Sequence, residues 1–219
     1  MKKQLILAAL LLWGASSFAQ IAAGTKYIGG MLRFNSNNNT SQIGSTTVKT
    51  PSTSSFSGSP ELGYFVIDNL AVGISLDLSS GATTFYKADG SEDSKHLDSG
   101  VGVTLYSRKF FNVSENVSLF GGLNLGYHGN ASKQNDGTTT TDYSSASTFG
   151  ASIDAGVAFN ITPKITVVGK WAGLGFNSMT TTYPKYSQTG QDKVDKSDSF
   201  GVGINTIGNP FAVGIYFGF

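Results

Sequence analysis

The two histidines of the chain, His96 and His128, are the side chains best suited to moving a proton near neutral pH. A hydrolase would set one of them between a serine nucleophile and an orienting carboxylate. Ser and Asp crowd the sequence around both, so such neighbours discriminate nothing, and no G-x-S-x-G nucleophile motif occurs. Two acidic groups, Asp89, Glu92 and Asp93, and Asp192, Asp195 and Asp198, carry the oxygen ligands a calcium ion takes. Neither follows the D-x-[DN]-x-[DN]-G spacing, and both read as solvated charge. The glycines Gly121-Gly122 and Gly173-x-Gly175 fall inside alternating runs, where they read as close packing rather than a phosphate cradle. No catalytic, metal or cofactor site is expected. The pairing that the pattern does support is electrostatic: Asp154 and Lys170 lie equally far from Thr162, at the centre of a short turn, which predicts an ion pair directly across a hairpin.

The frame that must hold these side chains is written in the alternation of the chain. In 70–79, Leu70, Val72, Ile74, Leu76 and Leu78 share one side of an extended segment, opposite Ala71, Gly73, Ser75, Asp77 and Ser79. In 149–160, Phe149, Ile153, Val157 and Phe159 oppose Gly150, Ser152, Asp154, Gly156 and Asn160. Eight such runs are found, near 25–36, 55–66, 70–79, 98–110, 117–129, 147–160, 165–177 and 198–219. Tight connections near 67–69, 112–116 and 161–164 alternate with long polar ones at 37–54, 80–97, 130–146 and 178–197. An even-numbered meander with short turns at one end and polar loops at the other is the layout of a transmembrane barrel. Closing last strand on first also leaves no open edge. A water-soluble sandwich alternates too, but its wet face favours long charged residues over Gly, Ala and Ser. Small polar residues instead suit the interior of a narrow eight-stranded barrel, with Tyr27, Phe65, Tyr106, Phe120 and Tyr216 as filling.

Composition points the same way. Only 13% of residues are charged, about half the ~25% usual in soluble domains, while Gly contributes 28 of 219 residues. A net charge of +1 gives no basic face for nucleic acid, and the absence of cysteine rules out a disulfide framework. Residues 1–19 read as a secretory signal: Lys2 and Lys3, an apolar stretch too short to span a bilayer, and Ser17-Phe18-Ala19 as a small-x-small cleavage site. The barrel domain is then residues 20–219, exported to an outer membrane.

The stretch SPELGYFVIDNLAVGISL resembles the strand, turn and strand of small bacterial outer-membrane β-barrel proteins, similar in architecture to the OmpA membrane domain and OmpX. FNITPKITVVGK resembles a later hairpin of that family, and IYFGF its C-terminal targeting strand. The resemblance implies location and shape and brings no catalytic residue with it.

The end of the chain, FAVGIYFGF, alternates to its last residue, with Phe211, Val213, Ile215, Phe217 and Phe219 on one face. Its length matches the ~9–11 residues a tilted strand needs to cross a membrane. The resemblance implies that Ile215, Phe217 and Phe219 are read by the outer-membrane assembly machinery. Upstream, Phe200, Val202 and Ile204 place the apolar face on even positions, so the parity must flip within Thr206–Pro210, by a bulge or by a turn into a ninth strand. The expectation is therefore an all-β, eight-stranded antiparallel up-and-down transmembrane barrel, with both ends periplasmic and four polar loops outside. Its predicted role is structural or surface-interacting. The alternatives are a narrow pore or a path for small apolar molecules, and, less favoured, a membrane-embedded hydrolase using His128.

Overall fold

The computed structural model describes residues 21–43, 46–87, 89–184, 191–204 and 212–219. The segment read as a leader, Phe211 and the expected parity break at Thr206–Pro210 lie outside them. The strands are β1 (Lys26–Asn37), β2 (Thr40–Ile43), β3 (Thr46–Lys49), β4 (Ser52–Ile67), β5 (Leu70–Tyr86), β6 (Glu92–Asn112), β7 (Val117–Asn135), β8 (Thr140–Thr162), β9 (Ile165–Tyr183), β10 (Lys193–Ile204) and β11 (Ala212–Gly218). From β4 to β9 each strand pairs antiparallel with the next, and β1 pairs with β4. β2 and β3 form a separate small hairpin within the connection from β1 to β4.

The free edge of β9 is shared: its residues 172–183 pair with β10 and its residues 165–170 with β11. β11 then pairs with β1 from Tyr27 to Met31 and closes the ring. β10 and β11 thus occupy one position along β9, and the ring has eight positions. A ninth strand would have inserted between β9 and β1, and the register excludes it. The parity does flip: Phe200 and Val202 are exposed on even positions in β10, Ile215 and Phe217 on odd positions in β11. The residues over which it flips, where the bulge is expected, lie outside the described ones. Ile204 faces Ala172 and Ala212 faces Lys170.

Alternation sets the two faces as the sequence predicts. Val72, Ile74, Leu76 and Leu78 are exposed on the outside, while Ala71 and Ser75 are buried inside. Tyr27, Phe65, Tyr106, Phe120 and Tyr216 are all buried. Their rings lie against glycines: Tyr27 covers Gly63, Tyr106 covers Gly73 and Phe120 covers Gly156, and a Cβ at any of the three would collide with the ring. That close approach is the reason for glycine inside these strands.

The long polar connections are shorter than expected. Most of 80–97, 130–146 and 178–197 is strand, because β5 to β9 continue past the apolar band as paired Ser, Thr, Asn and Lys ladders. β5 runs to Tyr86 and β6 starts at Glu92, β7 runs to Asn135 and β8 starts at Thr140, and β9 runs to Tyr183 and β10 starts at Lys193. Polarity marked where the lipid ends, and pairing continued beyond it. In the 136–139 turn the Asp136 carboxylate accepts the amides of Thr138 and Thr139, which lowers its pKa. At the opposite end, Asn69 adopts φ 61° in the β4–β5 turn, and its Oδ1 accepts the Ile21 amide, tying the start of the described chain to the barrel rim.

Candidate functional site

The interior is the site, and its lower part is a plug. Inward parity brings Glu61 from β4, Arg108 from β6 and Tyr216 from β11 to the same level. Arg108 donates to both Glu61 oxygens, Nη1 to Oε2 at 2.7 Å and Nη2 to Oε1 at 3.1 Å. The Tyr216 hydroxyl donates to Glu61 Oε2 at 2.9 Å and accepts from Arg108 Nη1 at 3.1 Å. The guanidinium also sits 4.2 Å from the centre of the Tyr106 ring. Both charged side chains are only 2% exposed. In the ring order β11, β1, β4, β5, β6, four steps separate Tyr216 from Arg108, half the circumference, so their hydrogen bond crosses the full width of the lumen. Below this floor lies a cavity of 550 Å³ at the tight-turn end, lined by Phe65, Phe110, Asn160, Thr166 and Val168 among others. Above it is a second cavity of 520 Å³ reaching toward the hairpin end.

Neither Glu61 nor Arg108 was singled out from the sequence. The signal was there: Glu61 shares the parity of Gly63 and Phe65, and Arg108 that of Thr104 and Tyr106, so both charges fall on faces otherwise small or aromatic. What parity could not show is that residues this far apart in sequence meet.

The structure brings Asp154 and Lys170 together, Nζ to Oδ2 at 3.1 Å, with side chains 11% and 22% exposed. The expected register is corrected. Asp154 faces Gly173 and Lys170 faces Gly156, because the turn is built on Pro163-Lys164, Ile161 is an extra residue in β8 between Asn160 and Thr162, and Trp171 is an extra residue in β9 opposite the Ala155–Gly156 step. The pair is diagonal across the ladder, a separation the long lysine side chain spans.

Higher in the lumen, Asp77 accepts Thr104 Oγ1 at 2.7 Å and Ser75 Oγ at 3.2 Å. His128 points inward, with Nε2 3.9 Å from Asp77 Oδ2. His96 lies within β6. It forms an aromatic row at the hairpin end, with centroids 5.2 Å from Phe85 and 5.3 Å from Tyr143, which in turn lies 6.1 Å from Tyr183.

The acidic groups do not converge. Asp89 accepts the amide and hydroxyl of Ser91, which lowers its pKa, Glu92 pairs with Lys95 at 3.0 Å, and Asp195 pairs with Lys193 at 2.8 Å. Among the described residues no three His, Asp or Glu side chains gather as a metal site would require. At the chain end, Ile215, Phe217 and Phe219 are exposed on the outside, and Phe219 exchanges two backbone hydrogen bonds with Lys26.

A closed, up-and-down antiparallel ring with an apolar exterior and a hydrogen-bonded interior is a transmembrane β-barrel. Residues 5–207 match the outer membrane protein beta-barrel domain, and the chain belongs to that family, embedded in the outer membrane bilayer. No curated relative matches the sequence. Among solved structures, the outer membrane protein OprG of Pseudomonas aeruginosa aligns with 13% identity and a TM-score of 0.50, over 90% of this chain and 97% of that one. Ail, the attachment invasion locus protein of Yersinia pestis, aligns at 18% identity and a TM-score of 0.39, over 90% of this chain and 99% of that one.

Proposed function

We propose that the protein is a surface-interaction barrel, non-enzymatic and closed to through-flow, which presents its polar hairpins outside the cell and its tight turns and both ends to the periplasm. The Arg108–Tyr216 hydrogen bond across the lumen carries this reading, since a solute would have to break the buried Glu61–Arg108 pair to pass. The paired extensions of β5 to β9 supply the contact surface, rigid because their backbone groups are bonded within the sheet. The exposed Ile215, Phe217 and Phe219 are the segment offered to the assembly machinery. Single-channel recording in planar bilayers tests the closed lumen. Silence is expected of the wild-type protein, with conductance appearing on Arg108→Ala, and a steady open state of the wild type would refute it.

A further inference from the structure

From the cavity above the plug we infer that the lumen is a blind cup that takes a neutral saccharide, a mono- or disaccharide or the end of a glycan, from outside the cell. The inference rests on the closed, outward-facing barrel proposed above.

Access is the first argument. Inward side chains are buried at the level of Ser75, Arg108 and Asp154, half-exposed at Asp77 and His128, and exposed at Asp98 and Asn130. Exposure that rises from the plug to the level of Asp98 and Asn130 describes a cup that opens away from the plug, beneath the partly buried rings of Phe85, His96 and Tyr183. Its volume of 520 Å³ lies in the ~300–1,000 Å³ range of small-molecule sites.

Chemistry is the second. The wall offers a carboxylate at Asp77, an imidazole at His128, a carboxamide at Asn130 and hydroxyls at Ser57, Ser59 and Ser79. Asp77 already accepts two hydroxyl donors, Thr104 and Ser75, which is the bond a sugar hydroxyl would make with its remaining lone pairs. Carboxamides donate and accept at once, matching vicinal hydroxyls. Near the mouth, Phe85, His96, Tyr143 and Tyr183 form a continuous run of rings drawn from four strands, and Tyr143 is 48% exposed. The negative face of an aromatic ring attracts polarised C–H groups, so rings near the mouth and hydrogen-bonding groups in the wall match the two kinds of surface on a pyranose. A simple anion is disfavoured by the Asp77 carboxylate and a simple cation by the Arg33 guanidinium, both of which line the cavity.

Saturation-transfer NMR on the full chain in nanodiscs tests this, with glucose, galactose, N-acetylglucosamine and maltose as probes at millimolar concentration. At least one should receive saturation at its ring C–H protons. Asp77→Asn, which keeps size and shape, should weaken that sugar about tenfold, the equivalent of one lost charge-assisted hydrogen bond. Tyr143→Ala should weaken it as well, while Ser147→Ala in β8 should leave it unchanged. No saturation of any probe overturns the inference, and so does binding that is equal in wild type, Asp77→Asn and Tyr143→Ala. Conductance measured on the same preparation separates the two readings: an open wild-type channel refutes the closed lumen, whereas a silent channel that binds no sugar refutes only the cup.

Discussion

Glu61→Ala removes the centre of the lumen plug, and its cost follows from the geometry. The substitution takes away both acceptors of the Arg108 fork, at 2.7 and 3.1 Å, and the acceptor of the Tyr216 hydroxyl at 2.9 Å. Arg108 is then a cation 2% exposed with no carboxylate partner. Breaking a buried pair from one side costs about 3–5 kcal/mol. Arg108 keeps the Tyr216 hydroxyl at 3.1 Å and the Tyr106 ring at 4.2 Å, and water can enter where the carboxylate stood, which places the expected loss near the low end, about 3 kcal/mol. Equilibrium urea unfolding in lipid vesicles, followed by circular dichroism and by the gel shift of unheated protein, reads this directly. Glu61→Leu combined with Arg108→Met should recover most of the loss, because no charge is then stranded and the apolar pair fills similar volume. A loss below about 1 kcal/mol for Glu61→Ala, the range of solvent-exposed pairs, would show that the plug is hydrated and refute the reasoning.

The Asp154–Lys170 pair is more exposed, so Asp154→Ala and Lys170→Ala should each destabilise by less than Glu61→Ala, and the double variant should lose less than their sum; strict additivity in the same unfolding assay would show two independent charges. Trypsin added to intact cells should cut after Lys87, in the β5–β6 connection, and spare Lys133, whose backbone pairs with Asp142 of β8; fragments ending at Lys164 from sealed cells would reverse the orientation. Deleting Phe219 should lower assembly into the outer membrane much more than Phe217→Leu, which keeps an apolar outward side chain, and equal yields in membrane fractions would reduce the terminus to ordinary packing.

Much of the architecture was legible because strand alternation is a local property. A side chain's face follows from its parity alone, so the inward placement of Asp77, His128, Asp154 and Lys170, and the filling by Tyr27, Phe65, Tyr106, Phe120 and Tyr216, could be read without coordinates. Composition read the strand ends less well. The Ser-, Thr- and Asn-rich stretches signal departure from lipid, whereas strand length is decided by whether a neighbouring segment is present to pair, as Lys133 with Asp142 shows. Register errors have the same source. Placing the turn on Pro163-Lys164, with one extra residue at Ile161 offset by another at Trp171, makes Gly173 the partner of Asp154, and no single-strand pattern contains that information.

The sequence by itself determined which side chains face lipid and which face the lumen, and it placed Asp154 and Lys170 on the inner faces of the neighbouring strands β8 and β9. Each depends on period-two geometry or on residues close along one hairpin. Tertiary closure alone decided that Glu61, Arg108 and Tyr216 meet. Their strands stand up to half the circumference apart, and only when β11 pairs with β1 does the ring become narrow enough for Arg108 to reach Tyr216. The same closure put Phe85, His96, Tyr143 and Tyr183 in one row, because shear and curvature of the whole sheet, rather than the identity of any strand, set which inward side chains share a level.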